Sequence, residues 1–236
     1  MKGPIDSTPE PGGGDNDDDR DAMDPFDLNL HPDHLNRLRN NEMLDDRLIA
    51  HLLRCFSVAA NSWAIVDSLH LLQMPPPDKL KALYASKETL FIPVHHQNAA
   101  AHWSCLVVTN PNISPVAHHY DSCPNPSHSA AARDYVTDIF DVLQPRRLQP
   151  RRMVIFRDVN SARQRNGVDC GIFVLVNAIY LLLGLQPPAT DVDSNLWRRV
   201  FAAMLCSKDQ QHMSDLSEAI KRRSPVAGVQ DAQQVL

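Results

Sequence analysis

Apolar residues along this chain recur with two periods, and the alternation between them outlines an α+β domain. Leu44, Leu48, Leu52 and Phe56 fall at near-helical spacing and predict a helix from Glu42 to about Ala60. Met74-Pro75-Pro76-Pro77 breaks the chain, a short helix follows over Asp78 to Ala85, and Thr89 to Val94 reads as a strand. Two more strands are expected, one opened by His102-Trp103 and running to Val108, the other over Val116 to Tyr120. Ser129 to Leu143 has helical character and Arg152 to Arg157 strand character. Cys170 to Leu183 is apolar nearly all round and predicts a buried helix. Ser194 caps a further helix through Leu205, and Ser214 to Arg222 forms a last one. Helices on one side of a mixed or mostly antiparallel sheet are the expected architecture. No internal repeat is apparent.

The point where a polar turn meets the buried helix carries the chemistry. In Gln164-Arg165-Asn166-Gly167-Val168-Asp169-Cys170-Gly171 a cysteine stands at the helix start, with Asn166-Gly167 supplying turn chemistry and Asp169 placed to cap. Unpaired first-turn N–H groups and the positive end of the helix dipole favour thiolate over thiol, so Cys170 is a candidate nucleophile.

Two strand positions complete a constellation. His102 begins one strand and Asp121 follows another, and a thiol, an imidazole and a carboxylate are the parts of a nucleophilic triad. The imidazole takes the proton from sulfur and later returns it to the leaving amine, while the carboxylate fixes the tautomer and supports the imidazolium. Gln164, six residues before the cysteine, can direct its amide N–H₂ at an oxyanion beside the Cys170 backbone N–H. The candidate catalytic set is His102, Asp121, Gln164 and Cys170.

These segments resemble a known signature. His102-Trp103, Tyr120-Asp121-Ser122 and Gln164-x-Asn166-Gly167-x-Asp169-Cys170-Gly171 are similar, in order, spacing and flanks, to those of the ubiquitin-like-protein-specific proteases, the SUMO/sentrin and deneddylase-type cysteine proteases. The resemblance spans roughly Glu42 to Leu183 and includes Leu44-Asp45-Asp46-Arg47-Leu48-Ile49, which is similar to the family's Trp-Leu-Asn-Asp-x-x-Ile element. It implies a papain-like fold with permuted segment order, histidine and aspartate preceding the cysteine. It also implies an isopeptidase that cleaves a ubiquitin-like modifier after its Gly-Gly C-terminus from lysine side chains, and trims the modifier's precursor. In the family, tryptophans cover a tunnel for the Gly-Gly tail; Trp103 matches one, and Met43 stands in place of the other as the second substrate-binding candidate. A thioether chain fills irregular space but is less rigid than an indole. The segment His119 to Ser129 is similar to the deneddylase branch, so SUMO and the neddylation modifier weigh equally, with ubiquitin behind them. Alternatives are a deubiquitinase or an acyltransferase effector of the same clan, or a protein that binds a modifier without cleaving it.

Composition narrows the setting. The first 24 residues carry Asp6, Glu10, Asp15, Asp17, Asp18, Asp19, Asp21 and Asp24 against Lys2 and Arg20, so the acidic excess behind the formal net charge of −5 lies in this tail, expected to be disordered. The protease domain is expected over residues 25–222 and a second tail over 223–236. The near-neutral body argues against nucleic-acid binding. Five scattered cysteines without paired spacing argue against a disulfide framework and a structural zinc site, and point to an intracellular protein of the nucleus or cytoplasm. No apolar run is long enough to cross a membrane. A monomer is expected, whose partners are the modifier and its conjugates, with no cofactor and no metal.

Other features are weighed as structure rather than function. His95-His96 and His118-His119 sit on extended backbone, where neighbours point to opposite faces and cannot chelate one ion. Arg146, Arg147, Arg151 and Arg152 read as a solvated basic loop. Trp63 and Trp197 sit in helical patterns as core aromatics. Cys55, Cys105 and Cys206 are expected to pack, and Cys123 to be exposed.

Overall fold

The structure is a computed structural model in which residues 32–57, 62–66, 78–97, 101–143, 153–206 and 211–223 are described. The acidic tail, the basic cluster at 146–152 and the C-terminal tail after 223 lie outside the described residues. Among the described residues seven helices and five strands follow in the order α1 (Pro32–Arg39), α2 (Asp46–Ser57), β1 (Trp63–Ile65), α3 (Asp78–Ala85), β2 (Thr89–His96), β3 (His102–Thr109), β4 (Val116–Tyr120), α4 (Pro126–Leu143), β5 (Ile155–Val159), α5 (Cys170–Leu182), α6 (Ser194–Cys206) and α7 (Gln211–Arg223).

The five strands form one sheet in sequence order, with β2, β3 and β4 antiparallel and both outer strands, β1 and β5, parallel to their neighbours. The sheet is therefore mixed. Pairing of Pro93 with Cys105 lies beyond the last β1 partner, Phe91, so the proline falls where no outer strand needs its missing N–H.

Helices cover both faces of the sheet, in place of the one-sided cover expected. Alternation along the strands sends Phe91, Trp103, Cys105, Val107 and Tyr120 to one face, where they form a core with α2, α5 and α6. Leu90, Ile92, Val94, Leu106, Val108 and Ala117 point the other way, onto α3 and α4. Helix α5 is buried over its first ten residues because it lies between β3, α2 and α6. Its all-round apolarity, rather than an amphipathic stripe, is the sequence signature of that position.

Four local assignments differ. Asp193, not Ser194, caps α6, its carboxylate accepting the Leu196 N–H at 2.9 Å. The predicted Glu42–Ala60 helix begins only at Asp46, because the Asp45 carboxylate accepts the Leu48 N–H as a side-chain cap. Trp63 lies on β1, not on a helix, although it packs against the core as expected. Cys206 is exposed, whereas Cys105 is fully buried and Cys55 half-buried. Helix α1 carries too short an apolar pattern to be read from sequence. It is held by α6, where the buried Arg198 donates to the Arg37 carbonyl.

Candidate active site

The register brings the strand-borne candidates to one end of the sheet. His102 starts β3 and Asp121 directly follows β4, and because Cys105 pairs with Tyr120 in an antiparallel ladder the two ends coincide. His102 Nε2 and Asp121 Oδ1 are 2.7 Å apart, both groups buried. The Cys170 side chain hydrogen-bonds the same imidazole. With Nε2 committed to Asp121, Nδ1 is the ring nitrogen that faces sulfur. Cys170 is itself fully buried at the first position of α5, so it arrives from the layer on the opposite face of the sheet.

Burial alone would lower the proton affinity of His102, but the hydrogen bonds to Asp121 and Cys170 and the negative charges they carry overcome it and hold the imidazole up at about 9. Burial likewise works against the Asp121 carboxylate, yet hydrogen bonds from His102, the Cys123 N–H and His128 pull it down to about 2. The two shifts agree: carboxylate and imidazolium form one ion pair.

The turn before Cys170 is closed by Asn166. Its side-chain oxygen accepts the N–H groups of Val168 and Asp169, at 3.1 and 3.0 Å, and its amide donates to the Asp169 carboxylate. Asp169 does not cap α5 as expected. Its carboxylate turns away to the buried Arg198, which donates through Nε at 3.0 Å and Nη2 at 2.6 Å. Only the Asp169 carbonyl serves the helix, accepting from Ile172 and Phe173. The expected cap loses because a buried guanidinium offers a two-point, charge-assisted partner, stronger than a neutral first-turn N–H. The Cys170 N–H is consequently not claimed by the Asp169 side chain.

Gln164 is fastened beside Asp121. Its backbone N–H donates to the Ser122 carbonyl and its side-chain oxygen accepts the Ser122 hydroxyl at 2.6 Å. One amide hydrogen goes to the Asn166 carbonyl, leaving the second for another acceptor.

Trp103 and Met43 are brought to a common place. The indole N–H donates to the Leu44 carbonyl at 3.1 Å, the ring lies tilted against His95, and Met43 packs against the same core. Leu44 also touches Gly171, where an added Cβ would lie 3.0 Å from the Leu44 Cβ. That glycine is required by close approach rather than by backbone angle. The segment before α2 thus links the aromatic at 103 to the turn at 170.

Sequence reasoning missed a polar cluster behind His102. His96 and His119 both bond the Ser104 hydroxyl, at 2.7 and 3.0 Å, and His119 bonds Asp158 at 2.8 Å. His128 places Nδ1 3.0 Å from Asp121 Oδ2. Opposite facing of His95 and His96, and of His118 and His119, is as predicted, since His96 and His119 are buried on one face and their neighbours are not. What pairwise reasoning could not supply is that histidines from β2, β3, β4 and α4 converge. Arg198 was also missed; a charge on the apolar side of an amphipathic helix was its only signal.

Donor atoms of His102, Asp121 and His128 all lie within 4.8 Å of one another, close enough for a metal by distance. The two rings, however, are stacked with planes 13° apart and centroids 4.6 Å apart. In-plane lone pairs of parallel rings run side by side, so one ion cannot lie about 2 Å from both nitrogens in both planes.

The sequence model of the Ulp1 protease family, C-terminal catalytic domain, matches residues 73–216. No curated protein matches the chain in sequence. Among solved structures, the fold is similar to the C-terminal Ulp1 protease domain in complex with Smt3, the yeast ortholog of SUMO, with 18% identity, a TM-score of 0.58, and 75% of this chain and 82% of that one covered. It is also similar to the Ulp1-like SUMO protease catalytic domain of Chaetomium thermophilum, with 21% identity, a TM-score of 0.51, and 70% and 72% covered. At these identities the likeness establishes a papain-like cysteine protease fold.

Proposed function

Because this chain belongs to the Ulp1 protease family and is a cysteine peptidase, we propose that it cleaves a ubiquitin-like modifier after its Gly-Gly C-terminus, releasing it from lysine side chains of target proteins and trimming its precursor. The observation that carries this reading is the hydrogen-bonded series Asp121–His102–Cys170 at the end of the sheet.

The steps follow from the geometry. The Cys170 thiolate attacks the carbonyl of the modifier's last glycine, and the developing oxyanion is met by the Cys170 backbone N–H and the remaining amide hydrogen of Gln164. His102, held protonated by Asp121, gives its proton from Nδ1 to the departing lysine amine, which leaves a thioester and a neutral imidazole. That imidazole then takes a proton from water as the oxygen attacks the thioester, and the modifier's carboxylate and Cys170 are released. Trp103 and Met43 are the residues we assign to covering the Gly-Gly tail, since apolar surfaces suit a segment without side chains.

SUMO and the neddylation modifier are the two substrates we propose. A similar fold solved with Smt3 supports the first, and the His119–Ser129 segment supports the second. Five free cysteines support action inside the cell, in nucleus or cytoplasm. The test exposes the purified chain to SUMO, neddylation modifier and ubiquitin carrying C-terminal electrophiles. One of the first two should label Cys170, and Cys170→Ala should abolish both labelling and turnover while retaining fold and modifier binding. Turnover by that variant at a comparable rate would refute the assignment. Acetyl transfer from acetyl-coenzyme A to Cys170 with release of coenzyme A, without modifier labelling, would replace hydrolysis with acyl transfer.

A further inference from the structure

The Asp121 carboxylate is shared. Oδ1 accepts from His102 Nε2 and from the Cys123 N–H at 2.8 Å, whereas Oδ2 is met by His128 Nδ1. Asp121 is buried, so a carboxylate oxygen deprived of that donor would have no water to replace it. The His128 ring also lies flat against His102, 4.6 Å between centroids, and is backed by His96 at 4.5 Å. His96 is held down at about 3 by burial and by the other histidines, so this backing ring is neutral and adds no repulsion to the His102 imidazolium.

The clamp is anchored from outside the site. His128 and Ser129 share the first turn of α4, and the Ser129 hydroxyl donates to Asp158 Oδ2 at 2.6 Å while His119 holds Oδ1 of the same carboxylate. One helix start is thus tied to both the end of β4 and the middle of β5. A rotation of the Asp121 carboxylate about its Cβ–Cγ bond, which would turn Oδ1 away from His102, must break the His128 contact.

We propose that His128 is a positioning residue for peptide-bond cleavage at this site, aiming the Asp121 carboxylate at His102 through Oδ2 and holding the His102 ring in plane by stacking. This rests on His102 being the acid–base group of the proposed function. His128 acts only through its two neighbours and touches no substrate atom in the mechanism above.

The groups facing His102 are Asp121, Cys170, His128, His96 and His95, and of these only His128 both contacts the ring face and bonds the carboxylate. His128→Phe keeps an aromatic ring and removes the donor; His128→Asn keeps a donor and removes the ring. The experiment measures kcat and KM against pH on whichever modifier substrate the wild type cleaves, together with the NMR titration of His102 in all three proteins.

His128→Phe should lower kcat about 10- to 100-fold, the weight of one hydrogen bond to a charged group, with KM unchanged. Its alkaline limb and its His102 titration should both fall below the wild-type position. His128→Asn should recover most of the loss. A His102 titration that stays in place in His128→Phe, or an equal loss in both variants without a shift, reduces His128 to a packing residue and overturns the proposal. If the wild type cleaves none of the modifiers, the proposed function falls, while the His102 titration still decides the role of His128.

Discussion

The two faces of the central sheet reach the active end by opposite means. On the α2, α5 and α6 side the apolar rows run unbroken through Phe91, Cys105 and Trp103, and Cys170 arrives at the start of a helix buried over its first ten residues. On the α3 and α4 side the rows Leu90, Ile92, Val94 and Leu106, Val108 give way at their ends to His96, Ser104 and His102, which join His119 and Asp121. Cys170 is placed by close packing; His102 and Asp121 are placed by hydrogen bonds among buried polar groups. The first tolerates no added volume, and the second no unpaired atom.

Replacing Asp121 breaks the polar side most severely. Asp121→Asn should lower kcat by about 10³- to 10⁴-fold, the scale seen when a triad carboxylate becomes an amide. Without the carboxylate only the Cys170 interaction opposes the burial of His102, so the alkaline limb of kcat/KM should fall below its wild-type position. The sign for stability follows from the same shifts. The raised His102 contributes fully below pH 6.5 and loses its contribution as pH rises through about 9. The depressed Asp121 contributes above pH 3.8 and loses its contribution as pH falls through about 2. Denaturation midpoints measured across pH should decline outside that window in the wild type, and the alkaline decline should flatten in Asp121→Asn.

On the packed side, the turn before Cys170 is held by Arg198 paired with Asp169. Arg198→Ala leaves a buried carboxylate without its guanidinium and should cost about 3–5 kcal/mol, read from denaturant unfolding. An effect below about 1 kcal/mol would mean that the pair does not secure the turn before Cys170.

Gln164→Ala should lower kcat by about 10²- to 10³-fold with little change in stability, since the side chain is only partly buried and serves the transition state. A change confined to KM would remove it from the oxyanion site.

On the packed side, Gly171→Ala pushes a methyl group to 3.0 Å from Leu44 Cβ and 3.1 Å from Ile49 Cδ1 and should destabilise by about 1–3 kcal/mol. Because Leu44 also carries the carbonyl that holds the Trp103 indole, KM for the modifier should rise in the same variant, a coupling measurable by steady-state kinetics.

Elements on both sides of the sheet were legible in the sequence. The Cys170–Leu183 helix, the Asp78–Ala85 helix and the His102 and Val116 strands follow from period and breakers, and their observed bounds differ by a residue or two at most. Trp63 was misassigned because a three-residue strand is too short to show a period. The Asp169 cap failed for a different reason: its true partner, Arg198, lies 29 residues away, and local chemistry ranks only local partners.

Residue order alone was sufficient to place a thiol at a helix start, an imidazole and a carboxylate at strand ends, and an amide six residues before the sulfur, because each is a property of one segment and its period. Tertiary structure decided which face of the sheet each segment covers, that Arg198 rather than α5 receives Asp169, and that His96, His119 and His128 gather behind His102 and Asp121. Those outcomes depend on strand register and helix docking, through which segments far apart in the chain find partners for groups that burial has removed from water.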